Sequence, residues 1–209
     1  QARARGHLGT IVTTYWGLLF NRLFVGYALS LAFISAALFV YIASVPSLLM
    51  EQRGMSTRMF SLCFMINAGG IYAAGQSNRW LLRTMEPKSI LTRGLTLNLV
   101  ACVVLAVAGI SNIGGLPLFV GSLFVFVASL GWIFPNAVAV AMKPVPEQAG
   151  SASALIGTLQ FAFGSVSGTV VSAFHTGTAT PSVLLIAITS FFAWLLLVVQ
   201  RAPTHLKTA

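Results

Sequence analysis

Apolar residues recur along this chain in six long runs, at 26–49, 58–77, 90–110, 117–142, 150–172 and 181–200, separated by short polar or turn-forming segments. Each run supplies the roughly 20 residues that a helix needs to cross the hydrocarbon core of a bilayer. Asp, Glu, Lys and Arg occur only at the ends of the runs, as expected where a charge at the helix centre costs about 2.5–3.5 kcal/mol. The pattern predicts an all-α membrane protein with a bundle of six transmembrane helices over 26–200, preceded by a cytoplasmic linker at 1–25 and followed by a cytoplasmic tail at 201–209. Within the linker, "IVTTYWGLLFNR" (11–22) mixes aromatic and aliphatic residues with Thr, Asn and Arg. It reads either as a helix lying in the interface or as a connection whose last residues open the first span.

The six runs divide into two triplets with matching textures. The first helix of each has a proline close to its end, Pro46 in "ASVPS" and Pro135 in "WIFPNA". These prolines remove backbone donors and either bend their helices, as gates would need, or are tolerated near a helix end. The second helix of each is glycine-rich with an amide at mid-span: Asn67 ahead of Gly69, Gly70 and Gly75, and Gln160 between Gly157 and Gly164. The third helices, "LTLNLVACVVLAVAGI" and "VLLIAITSFFAWLLLVV", are the plainest. Equivalent helices lie an odd number of spans apart and so run in opposite directions, which predicts two inverted three-helix repeats, the pattern of secondary transporters.

The chain is 57% hydrophobic and 7% charged, against about 25% charged in ordinary soluble domains. Its net charge of +9 does not point to nucleic acid, because the twelve basic residues punctuate apolar runs instead of covering a polar surface. One side collects Arg3, Arg5, Arg22, Arg79, Arg83, Lys88, Arg93, Lys143, Arg201 and Lys207; the other has Arg53 and Arg58. The positive-inside rule then places both termini in the cytoplasm. A chain opening on Gln1 without an A-x-A-like cleavage site reads as a piece of a longer protein more readily than as one with a signal peptide. Cys63 and Cys102 fall inside apolar runs, where a thiol behaves as a small hydrophobe.

Two stripes at helical spacing are candidate linings of a substrate pathway: Tyr27, Ser30, Ile34, Ala37, Tyr41 and Ser44 on the first span, and Ser122, Phe126, Ser129, Ile133 and Asn136, with Trp132 beside them, on the fourth. Aromatic rings and hydroxyls without charge suit an amphipathic ligand; the same residues also serve simply as packing between helices. Asn67 and Gln160 near the midplane fit either a substrate or gating contact or an interhelical hydrogen bond. Arg79 and Arg83 share one helical face and can reach lipid phosphates or contribute only positive-inside charge. "AGSASALIGTLQFAFGSVSG" (149–168) is so poor in bulk that one face must meet another helix at close range. Gly150, Ser153, Gly157, Gln160, Gly164 and Ser167 lie near that face, and Gly164 with Gly168 makes a GxxxG.

Glu51, Glu86 and Glu147 are the only acids and fall in connections, while His7, His175 and His205 lie outside the apolar centres. An embedded proton relay normally needs an ionisable side chain, and these runs offer none. Nor is there a nucleophile–base pair, a phosphate-binding glycine loop or a metal-ligand spacing, so neither an enzyme, a metal nor a cofactor is expected.

The blocks "LLFNRLFVGYAL" (18–29), "NRWLLR" (78–83), "FVFVASLGWIFPNAVAVAM" (124–142) and above all 149–168 resemble the C-terminal half of a major facilitator superfamily transporter, closest to the bicyclomycin/chloramphenicol-resistance (Bcr/CflA) drug-efflux subfamily. The resemblance implies six of twelve helices in a bacterial inner membrane. In each triplet, the first helix would line the cavity, the second would meet the N-terminal half, with Gly157, Gly164 and Gly168 packing against it in the second triplet, and the third would face lipid. It further implies drug:proton antiport of amphipathic compounds by alternating access, with the coupling acids in the N-terminal half. A half of a transporter for one specific solute, or an inert truncated product, are the alternatives. "GQSNRWLLR" resembles the family's cytoplasmic G-x-x-x-D-R-x-G-R/K signature, but has Asn78 at the acidic position and Leu82 at the later glycine. "YIASVPSLLM" departs from the Ser-Pro-Phe-like helix end expected there.

Overall fold

The computed structural model describes residues 13–174 and 178–200. Among them are six long helices and no strand: α1 (Arg22–Pro46), α2 (Thr57–Leu81), α3 (Pro87–Ser111), α4 (Gly115–Met142), α5 (Ala149–Ala173) and α6 (Thr180–Val199). Each occupies one predicted run and mostly extends it by a few residues. Residues 13–20, inside the ambiguous linker, are helical and end at Asn21. The three histidines, Arg3, Arg5 and the tail at 201–209 lie outside the described residues.

Local chemistry sets the helix ends. The Asn21 side chain accepts from the Phe24 N–H at 3.1 Å and Ser56 caps α2 through Met59, each satisfying a donor that the first turn leaves orphaned. Pro87 opens α3, where a missing N–H costs nothing. After α3 the chain reverses through Asn112, Gly114 and Gly115, all at positive φ, so α4 starts within a few residues. Beyond Pro46, α1 continues as a π-helical turn, Ser47–Glu51, that ends ahead of Gly54 at φ 65°.

Five of these helices are long and apolar enough to cross a membrane; α2 falls short. Its sequence explains this, since Ser61, Asn67, Gln76, Ser77, Asn78 and Arg79 dilute the apolar residues. The central pair is α1 and α4, which pack on each other. In addition, α1 packs against α5 and α6, α4 against α2 and α3, and α3 against α6. Exchanging the two triplets (α1 with α4, α2 with α5, α3 with α6) maps this set of neighbours onto itself.

Small residues set the closest approaches. A Cβ on Gly131 of α4 would fall 2.5 Å from the Ile71 carbonyl oxygen, 2.8 Å from the Ala74 Cβ and 2.9 Å from the Gly75 nitrogen, so α4 lies against the bare backbone of α2. Gly94 gives α3 a similar approach to Ile133 and Trp132. In α5, Gly164 meets the ring of Phe39 on α1. Gly164 therefore has a packing partner within this chain, whereas Gly157 and Gly168 have open space where a Cβ would be. The GxxxG is therefore split, because residues four apart on a helix are offset by about 40° and only Gly164 points at α1.

At the end opposite the basic connections, the Arg53 guanidinium sits 3.7 Å from the centroid of the Phe119 ring and donates to the Leu48 carbonyl at 3.2 Å. Burial pushes the Arg53 pKa down from its ordinary value, and the ring face offsets part of that loss of hydration. The contact ties the π-helical turn to the start of α4. A thermal-denaturation double-mutant cycle of Arg53→Gln and Phe119→Leu should give a coupling of about 0.5–1 kcal/mol; additive effects would deny the contact any energetic role.

Candidate functional site

The residues singled out from the sequence converge on interhelical seams. Tyr27, Ser30, Tyr41, Phe126, Ser129 and Asn136 are all buried, between 0 and 4% exposed, and Trp132 is half-buried. The two stripes thus turn toward neighbouring helices of this bundle, and most of their polar atoms are already engaged.

The α2–α4 seam brings together two of the sequence motifs. Asn136 Nδ2 donates to Asn78 Oδ1 at 2.6 Å and to the Trp132 carbonyl at 2.7 Å, while Trp132 Nε1 donates to Ser77 Oγ at 2.8 Å. Ser77 in turn donates to the Ala74 carbonyl. Asn78, at the position where the resembled signature has an acid, is therefore a buried acceptor for α4. Arg79 beside it is exposed, as is Arg83 just beyond the helix. Pro135 is exposed on α4, next to this seam. A neutral amide pair holds two helices together without the desolvation cost that a buried carboxylate would carry.

Toward the opposite end, Asn67 Nδ2 donates to Tyr41 Oη at 3.0 Å. The Tyr41 ring is stacked with Phe64, centroids 6.2 Å apart and planes at 12°, and tilted against Phe126. Asn67 is thus an interhelical link between α1 and α2. Gln160, its counterpart in α5, is partly exposed and makes no side-chain hydrogen bond to any described residue.

A third seam escaped the sequence analysis. Asn98 of α3, fully buried, donates to Ser129 Oγ at 2.8 Å and to the Phe126 carbonyl at 3.2 Å; Cys102 lies 3.2 Å from Ser190 Oγ of α6 and 3.7 Å from Asn98 Oδ1. These contacts join α3, α4 and α6. The available signal was an amide at the centre of "LTLNLV", which in hydrocarbon must find a partner. Ser30 and Ser167 add two more ties, to the carbonyls of Ala193 at 2.8 Å and Ala36 at 3.0 Å. Both cysteines are free thiols, and no group of three His, Cys, Asp or Glu among the described residues is placed to hold a metal ion.

The arrangement is a neutral polar lattice that fixes helix crossings and leaves no acid or base in the interior of the described helices. No family model matches the chain. It is similar to the uncharacterized MFS-type transporter YdgK of Bacillus subtilis (strain 168), with 30% identity over 190 residues, 91% of this chain and 47% of that protein. It is also similar to the bicyclomycin resistance protein homolog of Haemophilus influenzae, with 26% identity over 157 residues, 75% of this chain and 39% of that one. The chain spans less than half the length of either relative, and the similarity joins a multi-pass membrane bundle to MFS-type transporters.

Proposed function

We propose that this chain is the C-terminal six-helix half of a twelve-helix major facilitator transporter of the Bcr/CflA type, which exports amphipathic drugs in exchange for protons across a bacterial inner membrane. The observation that carries the reading is the exposure of the two least lipid-like helices. Only three residues of α2 are buried, Asn67, Gly70 and Asn78, and only five of α5. The open surface of α5 presents Ser153, Thr158, Ser165, Thr169 and Ser172, whereas that of α3 presents Val100, Val103 and Val107. Hydroxyls and small residues gain little from lipid and pack well against another helix, so α2 and α5 are the faces for an N-terminal half. The limited span of the match to both relatives supports this, and the exchange symmetry of the helix contacts supports two inverted repeats with α2 as the sixth span. The bias of Lys and Arg to one set of connections supports cytoplasmic termini by the positive-inside rule.

In this reading the polar seams keep the half rigid while it rocks against its partner. Trp132, half-buried at the α2–α4 seam, is the ligand contact on α4; the buried stripe residues hold the helices beneath it. Proton coupling belongs to acids of the other half, because the interior of the described helices has none. Inverted vesicles containing this chain alone should show no pH-gradient-driven drug accumulation. The complete transporter with its N-terminal half should raise resistance to several amphipathic antibiotics, an effect that a protonophore removes. Accumulation by the chain alone, or unchanged susceptibility across a chemically broad panel despite full expression, would overturn the reading.

A further inference from the structure

Helices α5 and α6 both pack on α1 but barely touch each other. Between them runs a furrow of about 400 Å³, floored by Phe33 and Ala36 and walled by Ala162 and Val166 on one side and Leu185 and Thr189 on the other. One end is closed by an aromatic cluster in which Phe33 meets Phe163 edge-on at 5.1 Å and stacks on Phe192 at 5.5 Å. The other end continues past Val170 and Leu185 into a second apolar hollow that reaches Phe174 and Pro181. Triplet exchange predicts an equivalent cleft between α2 and α3, and one is present, but it holds only about 220 Å³.

We propose that the α5–α6 furrow seats a single acyl chain of a bilayer phospholipid, from the leaflet on the side of Arg53. The inference rests on the reading of these helices as membrane spans. Two observations select the occupant of the furrow. It asks for no polar ligand, because its two hydroxyls are already satisfied: Ser167 donates to Ala36 and Gly164, and Thr189 to Leu185 and Ile186. It is also continuous with the exposed hydrocarbon face of α6 at Leu184 and Ile188, so a chain enters sideways from lipid. Water gains nothing in such an apolar space, which at this depth fills with hydrocarbon or stays empty.

The test is photo-cross-linking of the chain, reconstituted in vesicles of phosphatidylethanolamine and phosphatidylglycerol, with a phospholipid carrying a diazirine in its acyl chain, the adducts being mapped by mass spectrometry. Adducts should be enriched severalfold at the furrow residues of α5 and α6 over the open valines of α3. The double variant Ala162→Phe/Val166→Phe, at two exposed positions, should reduce the furrow adducts to the α3 level. Val100→Phe/Val103→Phe should leave them unchanged. Labelling of α3 without furrow enrichment, indifference to the filling variant, or cross-links from Val166→Cys to another protein in its native membrane would overturn the acyl-chain seat alone. Absence of label from α3 as well would overturn both the seat and the membrane-span reading.

Discussion

Gly131→Ala is expected to destabilise the solubilised chain by about 1–3 kcal/mol, the range for overpacking a well-packed interior, while Gly157→Ala leaves the thermal midpoint unchanged or raises it. The contrast follows from what a new methyl group meets. At Gly131 it strikes the Ile71 carbonyl oxygen and the Gly75 nitrogen, backbone atoms that no rotamer change can move aside; at Gly157 nothing lies within 4 Å. Relief requires α2 and α4 to separate, and separation strains the hydrogen bonds from Asn136 to Asn78 and from Trp132 to Ser77. Intrinsic helix propensity favours alanine over glycine by about 1 kcal/mol, so a loss at Gly131 is a packing effect acting against propensity. Equal midpoints for the two variants would show that α4 does not rest on the α2 backbone.

Asn98→Ala should cost about 1–2 kcal/mol, near the upper end of values for polar contacts between membrane helices. One side chain is bonded to Ser129 and Phe126 of α4 and lies next to Cys102, which meets Ser190 of α6. Its removal leaves a void and loosens three helices at once. A thermal-denaturation cycle with Ser129→Ala separates the hydrogen bond from the void: a coupling of about 0.6–1.7 kcal/mol is expected for the Asn98–Ser129 pair. Strict additivity would reduce Asn98 to a space-filling role.

Hydropathy made five of the six helices directly legible, because lipid imposes length and apolarity on a span; α2, diluted by polar residues, falls short of that signal. The failures of hydropathy lie where a different force decides. The polar last turn of α2, from Asn78 to Leu81, extends the helix beyond its apolar run because hydrogen bonding there continues regardless of hydropathy. The passage from α-helix to π-helix is marked in the sequence only by Pro46, which signals a bend but not the kind of turn that follows it. The two stripes do lie together on their helices, as periodicity requires, but periodicity specifies which side chains share a face and not what that face meets. Tyr41 and Asn136 therefore read as cavity lining or, more readily, as packing between helices, and both are buried within this bundle. Asn98 and Ser190 were hidden by their settings, since each lies in a helix that is mostly apolar along its middle and looks made for lipid. The small-residue character of 149–168 was legible, but its division between Phe39 and an open face depends on the rotation of α5 about its own axis.

The neighbours of α1 carry a consequence for how the protein is made. Its principal contacts are with α5 and α6, and Ser30 and Ala36 bond across 163 and 131 residues of sequence. At about 5–20 residues per second, the roughly 100 residues between Pro46 and Ala149 take about 5–20 s to synthesise. Through that interval the most extensively buried helix of the bundle sits in the membrane beside incomplete company, with a Ser30 hydroxyl whose eventual acceptor, and an Ala36 carbonyl whose eventual donor, do not yet exist. The interleaving of the triplets thus sets a schedule: neither triplet can be completed as a unit on the ribosome, and the bundle closes only once its last helix has been inserted.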